Sequence, residues 1–474
     1  MTARPAPLLL ALTLAFGVTG CSFAPVYERP ALATPEAFGA APPGWKAAEP
    51  ADADACDDWW TRFDDPVLDA LEARVLVGNQ NLRAALARYD QSRAIAGIAR
   101  AASLPTLNAG ASASRARTSA NAPRRAAVLV NDDRNISLNL GYEIDVWGRV
   151  RNAVAAGAAR VEASAGDLAA LTLGLRAELA LDYFSLRGNE LNQRVLGQTL
   201  DAFTQALALT QRRFAGGLVT ELDVNQARLQ VENTRVALAD LRLKHAQLVN
   251  AIALLVGEPA PGFALAPGAL PTALLAIAPG QPSALLERRP DVAAAERRVF
   301  ASNADIGVAR AAWFPSFSLG AALGFESTRS ATWLDAPSRF WSLGPQAALN
   351  LFDGGRITGN IALARAAHEE ASANYRQTVL GAWREAEDSL AAIRELADEA
   401  TSQQAAEDAA TRAFEQARRQ YEGGLVTYLP VANAEAALAQ ASQASIGLRV
   451  AQLAARVQLI RALGGGWQAE RGSV

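Results

Sequence analysis

The chain has 474 residues, half of them apolar and a fifth charged, with a formal net charge of −3. Both signs are dispersed, which excludes the basic footprint of a nucleic-acid binder and leaves no patch aimed at acidic lipids. The length would accommodate two or three ordinary domains.

Arg4 precedes an apolar run from Leu8 to Val18, and Thr19-Gly20-Cys21 follows. The run is shorter than the roughly twenty residues a spanning helix requires, so residues 1–20 read as a cleaved export signal. Val18-Thr19-Gly20-Cys21 resembles a bacterial lipobox, whose cysteine thiol takes a diacylglycerol before cleavage. Acyl chains such as palmitate contribute about 0.8 kcal/mol per buried methylene, so two or three hold a terminus on a membrane. Ser22 stands where that resemblance would place the aspartate of inner-membrane retention, which favours outer-membrane sorting. With Cys21 lipidated, Cys56 is the only other cysteine, and no disulfide framework exists. Cys56 reads as an unpaired residue in the acidic stretch Asp54 to Asp58. Residues 21–66 form a lipidated N-terminal segment and part of an equatorial region.

Beyond residue 66 the sequence repeats itself. Ala99-Arg-Ala-Ala-Ser-Leu-Pro105 is echoed by Ala309-Arg-Ala-Ala-Trp-Phe-Pro315, and Gly148-Arg149 by Gly355-Arg356. Phe214-Ala-Gly-Gly-Leu-Val-Thr220 is echoed by Tyr421-Glu-Gly-Gly-Leu-Val-Thr427. The repeats span 67–256 and 286–463, with a Pro/Gly-rich equatorial linker at 257–285 and a tail at 464–474. Each reads as helix, strand pair, very long helix, Gly-Gly turn, helix. Residues 150–214 contain no proline, and as one helix they would extend about 100 Å. Leu196, Leu200, Phe203, Leu207, Thr210 and Phe214 step by four and three, the seam of a coiled coil. Val224, Ala227, Val231, Thr234, Leu238, Leu241, His245, Leu248, Ile252 and Leu255 continue it after the turn, which closes an antiparallel hairpin with its tip at 215–220. A second hairpin, with an Ala-rich seam, has its tip at 422–427. His245 lies on the seam without the ligand cluster of a metal site and reads as a core residue.

Strands are expected at about 104–117, 134–147, 314–328 and 339–352. Ile136, Leu138, Leu140, Tyr142, Ile144 and Val146 alternate with polar or small residues, as do Phe317, Leu319, Ala321, Leu323 and Phe325. Trp341, Leu343, Pro345, Ala347, Leu349 and Leu351 form a further such face, and the first strand is weaker. Period two gives one wet and one apolar face, and ten to twelve residues cross a tilted bilayer. Trp147, Trp313 and Phe314 mark the helix-joined ends, while Trp333, Phe340 and Trp341 mark the opposite ends, as interfacial aromatics do. A soluble sheet would show the same alternation. Four strands, however, can neither hide their apolar faces on coiled-coil helices nor close a membrane barrel, so several subunits must pool them. Arg115, Arg117, Arg124, Arg125 and Arg134 are expected in an external loop that meets lipopolysaccharide phosphates.

Leu285-Leu-Glu-Arg-Arg-Pro-Asp-Val292, continuing through Ala295-Glu296 and Ile306-Gly-Val-Ala-Arg to Phe314-Pro315, resembles the TolC-like outer-membrane efflux proteins. Tyr27-Glu-Arg-Pro30 and Trp60-Thr-Arg-Phe-Asp-Asp-Pro66 are similar to segments of their NodT-type lipoprotein subgroup. The resemblance covers nearly the whole mature chain. It implies a mainly helical fold with membrane strands: long antiparallel coiled-coil helices form a periplasmic α-barrel, and four strands per protomer build a trimeric twelve-stranded barrel in the outer membrane. It also implies a homotrimer, a periplasmic adaptor (membrane fusion) protein, an inner-membrane pump of the RND type, and outer-membrane lipid as partners.

Under that resemblance, Gly216, Gly217, Leu218 and Val219, with Gly423, Gly424, Leu425 and Val426, are the tips where an adaptor docks. Chain reversal alone would account for the glycines, but not for two tips that share Gly-Gly-Leu-Val-Thr. Asp223 occupies a place where family channels narrow the periplasmic aperture. Pro430 and Asn433 stand where some relatives have aspartates, a departure that puts a charged, cation-binding gate in doubt.

No paired histidines, phosphate loop or metal-spaced cysteines suggest an enzyme, and no cofactor is expected beyond the lipid on Cys21. The reading is an exit duct for small molecules, with drugs, solvents and other toxic compounds as the class. A duct for type I protein secretion, or a periplasmic coiled-coil structural lipoprotein, are the alternatives.

Overall fold

The computed structural model describes residues 22–33, 38–39, 58–117, 119, 130–271, 274–275, 277, 288–423 and 425–465. Residues 1–20, Cys21, Cys56, Arg124, Arg125, residues 272–273, 276 and 278–287, Gly424 and residues 466–474 lie outside them. The chain divides into two compact units. One combines residues up to Ala31 with 88–165 and 294–376; the other combines 32–87, 166–293 and the chain from 377 onward.

In chain order the elements are α1 (Pro66–Gly78), α2 (Gln80–Ala101), β1 (Thr106–Arg117), β2 (Val130–Ile144), α3 (Arg149–Ala215) and α4 (Glu221–Leu255). They are followed by α5 (Pro290–Ala311), β3 (Ser316–Ser327), β4 (Arg339–Ala348), α6 (Arg356–Glu422) and α7 (Tyr428–Ala462). Corresponding helices match in length: α3 and α6 have 67 residues, α4 and α7 have 35, and α2 and α5 have 22. No described helix is long and apolar enough to cross a membrane.

The first unit carries an antiparallel sheet in the order β1-β2-β3-β4. Its register aligns Leu107, Leu140, Ala321 and Leu343 in one row and Leu138, Leu323 and Trp341 in another, all in one phase of the pleat. Asn108, Asn139, Ala322 and Ser342 align in the opposite phase. Below the strands the helices approach closely because their contacts are small. Ala156 and Ala159 of α3 pack on Ala301 and Ala304 of α5, and a Cβ at Gly157 would lie 3.4 Å from the Ala96 backbone of α2. Ion pairs Arg297–Glu162 and Arg160–Asp305 flank that contact.

Strand ends differ from expectation in three places. β2 begins at Val130 rather than near 134 and pairs with β1 as far as Arg117↔Val130, so Arg115, Arg117 and Arg134, which lie within the expected strand bounds, are strand residues and the external-loop reading fails for them. Asp132 pairs with both Arg115 and Arg134, which makes this end of the hairpin polar. β2 stops at Ile144 and β4 at Ala348, leaving Val146, Trp147, Leu349 and Leu351 outside the strands. Asp145 accepts from the amides of Val150 and Arg151, and Asp353 from those of Gly355 and Ile357. Each carboxylate thus caps the long helix that follows, and those amide bonds hold Asp353 below the usual carboxylate range.

In the second unit, α1 starts with Pro66 behind Asp65, whose carboxylate accepts from the Val67 and Leu68 amides at 3.0 and 3.2 Å. The other oxygen of Asp65 takes the Tyr183 hydroxyl at 2.6 Å, while Phe63 packs edge-on against Phe184. Arg289, from the sequence Arg288-Arg289-Pro290-Asp291, is buried and donates to Asp291, to Glu385 of α6 and to the Ala462 carbonyl that ends α7. His245 is half-buried and faces Glu190 at 3.5 Å, which corrects its reading as a simple core residue. Buried Arg187 already pairs with that carboxylate at 2.9 Å.

Candidate channel wall and hairpin tips

The hairpin seam is formed by the expected residues. Leu196, Phe203 and Thr210 of α3 are buried, as are Val224, Ala227, Val231, Thr234, Leu238, Leu248, Ile252 and Leu255 of α4. Phe214, next to the turn, is the exception and lies exposed.

At the first tip the Leu218 amide donates to the Arg213 carbonyl at 2.9 Å and Gly216 to Arg212 at 3.1 Å. Gly217 adopts φ +71, the left-handed conformation that closes a helix C-terminus and favours glycine. The second tip closes in the same way, Leu425 donating to Gln420 at 2.9 Å and Gly423 to Arg419 at 3.0 Å. Both reversals leave a leucine in solvent, Leu218 at 77% exposure and Leu425 at 78%. Val219 and Val426 are half-buried.

Asp223 is the third residue of α4 and accepts both the amide and the hydroxyl of Thr220, at 2.8 and 2.7 Å. The carboxylate is committed to capping its own helix, and these bonds hold its pKa below the usual range. Pro430 is the third residue of α7, where a missing N–H costs nothing, and Thr427 makes no side-chain cap. Pro430 and Asn433 are both exposed.

Between the tips lies a cleft of about 390 Å³, bounded by Arg213, Leu218, Asp223, Tyr421, Val426 and Tyr428, among others. The Arg213 guanidinium sits 5.1 Å over the Tyr421 ring, which meets Tyr428 edge-on at 5.5 Å. Burial pushes the Tyr428 hydroxyl above its ordinary range and raises the Glu435 carboxyl to about 7. Sequence reasoning passed over Arg213, Tyr421, Tyr428 and Glu435. The one available signal was two tyrosines flanking Gly-Gly, seven residues apart.

In the sheet the apolar phase is open: Leu107, Ile136, Leu138, Leu323 and Leu343 are exposed, and Trp341 is 75% exposed. The aromatics divide between different jobs. Trp341 shares the apolar phase, whereas Phe340 points to the opposite face and covers Gly324, where a Cβ would lie 2.8 Å from its ring. Trp333 is half-buried in the β3–β4 connection. At the other end Trp313 is exposed, but Phe314 stacks on Phe23 at 4.3 Å and Trp147 lies 4.9 Å from Phe314. Trp147 also donates to the Pro315 carbonyl at 2.8 Å. Trp147 and Phe314 therefore hold the N-terminal segment, a contact that strand periodicity could not reveal.

Comparison with known proteins gives this arrangement its family. The profile of the outer membrane efflux proteins matches twice, over residues 72–258 and 281–465. The chain belongs to that family. It is 36% identical to outer membrane protein OprJ of Pseudomonas aeruginosa, over 99% of this chain and 98% of that protein. The cation efflux system protein CusC of Escherichia coli is 31% identical, with 97% and 99% covered. Among solved structures, the CmeC outer membrane channel of Campylobacter jejuni superposes with a TM-score of 0.90 at 27% identity, covering 95% of this chain and 96% of that one. The chain is thus an outer-membrane efflux protein with the mainly helical, four-strand fold of these channels, a family of ducts rather than of enzymes.

Proposed function

We propose that three copies of this chain form a passive exit duct, each adding four strands to a twelve-stranded barrel. The observation that carries this reading is the sheet itself, with an exposed apolar phase, an opposite phase containing Asn108, Asn139 and Ser342, and β1 and β4 at its two edges. An edge strand in lipid leaves amides and carbonyls unpaired, at a cost of several kcal/mol each, so closure with further copies is required. A four-stranded sheet is too small to close by itself. Cys21, outside the described residues, carries the lipid in this reading. Small molecules are the cargo; relatives named for toluene efflux, antibiotic efflux and pyoverdine export support that class.

The leucines at the two tips are the docking points for a periplasmic adaptor, through which the duct meets an RND-type inner-membrane pump. A large apolar side chain held in solvent at both tips supports this role. Asp223, Pro430 and Asn433 border the aperture, where the capping of Asp223 leaves closure to packing rather than to a ring of free carboxylates. Leu218→Asp should abolish drug resistance in cells while heat-modifiable trimers still appear in the outer membrane. Undiminished resistance would refute docking at that tip, and absence of the trimer band from wild-type membranes would refute the pooled barrel.

A further inference from the structure

A second cavity, of about 460 Å³, lies in the first unit where the strands meet the long helices. Its apolar wall comes from Ile144, Val146, Trp147, Phe314, Phe317 and Leu349, and its polar side from the Glu143–Arg149 ion pair, Asp145, Ser316 and Asn350. That size falls among ordinary small-ligand sites. An apolar wall of aromatic and aliphatic side chains facing polar groups on one side suits an acyl chain and its ester oxygens better than a compact polar solute.

The described chain begins beside this cavity. Ser22 donates its hydroxyl to Asn152 of α3 at 3.1 Å, one helical turn from Arg149. Phe23 stacks on Phe314, which together with its neighbour Trp147 lines the cavity. Arg310 holds the Phe23 carbonyl at 3.2 Å and Asn303 holds that of Pro25 at 2.8 Å. Arg29 and Tyr27 close on Glu296 at 2.7 and 3.4 Å. The strap needs Gly307, since a Cβ there would lie 2.8 Å from the Ala24 amide nitrogen and 2.4 Å from the Asn152 side chain.

We infer that this cavity seats an acyl chain of the lipid carried by Cys21, so the anchor is held by the protein as well as by the bilayer. The inference rests on the lipidation reading above. The strap holds Ser22 and Phe23 beside the cavity, and the proposed occupant is the chain's own lipid rather than a bulk phospholipid. An anchor fixed in this way sets the depth of the strand–helix junction, because the lipid cannot rise or sink without unstacking Phe23.

The test uses the full-length protein in cells fed a diazirine-bearing palmitate, irradiated and then digested for mass spectrometry. An acylated N-terminal peptide should appear, with cross-links to peptides containing Trp147, Phe314 or Phe317. Gly307→Ala, a change α5 itself tolerates, should keep the acylation and the heat-modifiable trimer but lose those cross-links. Phe23→Ala should weaken them in the same direction. Cross-links confined to the open strand face around Leu138 and Leu323, indifferent to Gly307→Ala, would overturn the seat while leaving the anchor intact. Cavity cross-links that persist in a Cys21→Ala chain exported on an ordinary signal peptide would assign the cavity to membrane phospholipid instead. An N-terminal peptide without acyl chains would remove the anchor, and the seat with it.

Discussion

The two hairpins of the second unit have helices of the same lengths and tips that close alike, yet they are held together by different chemistry. In the first, α3 and α4 meet through Leu196, Phe203, Val231, Leu238 and Leu248, all buried. In the second, the residues 207 positions further on from Leu196, Leu200 and Leu238 are Gln403, Glu407 and Ser445. These form a hydrogen-bonded seam: Ser442 and Ser445 donate to Glu407 at 2.8 and 2.6 Å, and Gln403 donates to the Ala441 carbonyl at 2.9 Å. Phe203 corresponds to Ala410, and buried Ala432 of α7 packs against Phe203 and Val231. The first hairpin gains from interdigitated apolar volume, the second from directional bonds whose partners water can replace. A duplicated backbone therefore yields an apolar seam in the first hairpin where the second has a hydrogen-bonded stretch, while elsewhere α6 and α7 bury Leu390, Ile393, Leu453 and Val457.

The largest expected effect comes from emptying the apolar seam. Phe203→Ala should destabilise the protein by about 3–5 kcal/mol, read by chemical denaturation, whereas Ala410→Gly in the second hairpin should cost about 1 kcal/mol. Equal losses at the two sites would break the comparison. Next, Ser442→Ala with Ser445→Ala strips Glu407 of both hydroxyls and should cost about 1–3 kcal/mol. Replacing Gln403, Glu407 and Ser445 together by leucine rebuilds the first hairpin's chemistry in the second and should restore or raise stability.

A smaller, pH-dependent effect is expected at Glu435, whose carboxyl burial raises from 4.5 to about 7. A group raised in the folded state stabilises packing fully below its unfolded value, and that contribution is lost as pH rises through the folded value. Melting temperature should therefore fall between about pH 4.5 and 7 and then level off, and Glu435→Gln should flatten that part of the profile. An unchanged slope in the variant would place the titration elsewhere. The smallest effect is local to the caps. Asp223→Asn should speed amide exchange in the first turn of α4, as should acidification below its depressed pKa, because the capping carboxylate is lost in both cases. Pro430→Asp should slow exchange in the first turn of α7 by supplying the missing cap.

Much of this architecture was legible because its determinants are periodic. Leu196, Phe203, Val231 and Leu238 recur at coiled-coil spacing, and Ile136, Leu138 and Leu140 at a spacing of two. A run of either kind specifies an element before any tertiary contact forms. What escaped was set by single side chains reaching across the chain. Asp145 and Asp353 end strands by capping helices, Asp132 keeps two arginines in a hairpin that was expected to be loop, and Phe23 draws Trp147 and Phe314 away from a purely interfacial role. Nor does the spacing of the tip motif predict that Asp223 is occupied by Thr220, or that Tyr421 meets Arg213.

The sequence by itself determined the duplication, the existence and order of the long helices and four strands, which face of each is apolar, and the family. Periodicity and repeated motifs are local properties that survive without a third dimension. The tertiary structure decided which polar groups are already satisfied, where the N-terminal strap lies, and that the stretch around Gln403, Glu407 and Ser445 is joined by hydrogen bonds where the first hairpin has leucines. Those outcomes depend on distances of a few ångströms between residues almost 300 positions apart, as between Phe23 and Arg310, and only the folded chain brings such residues together.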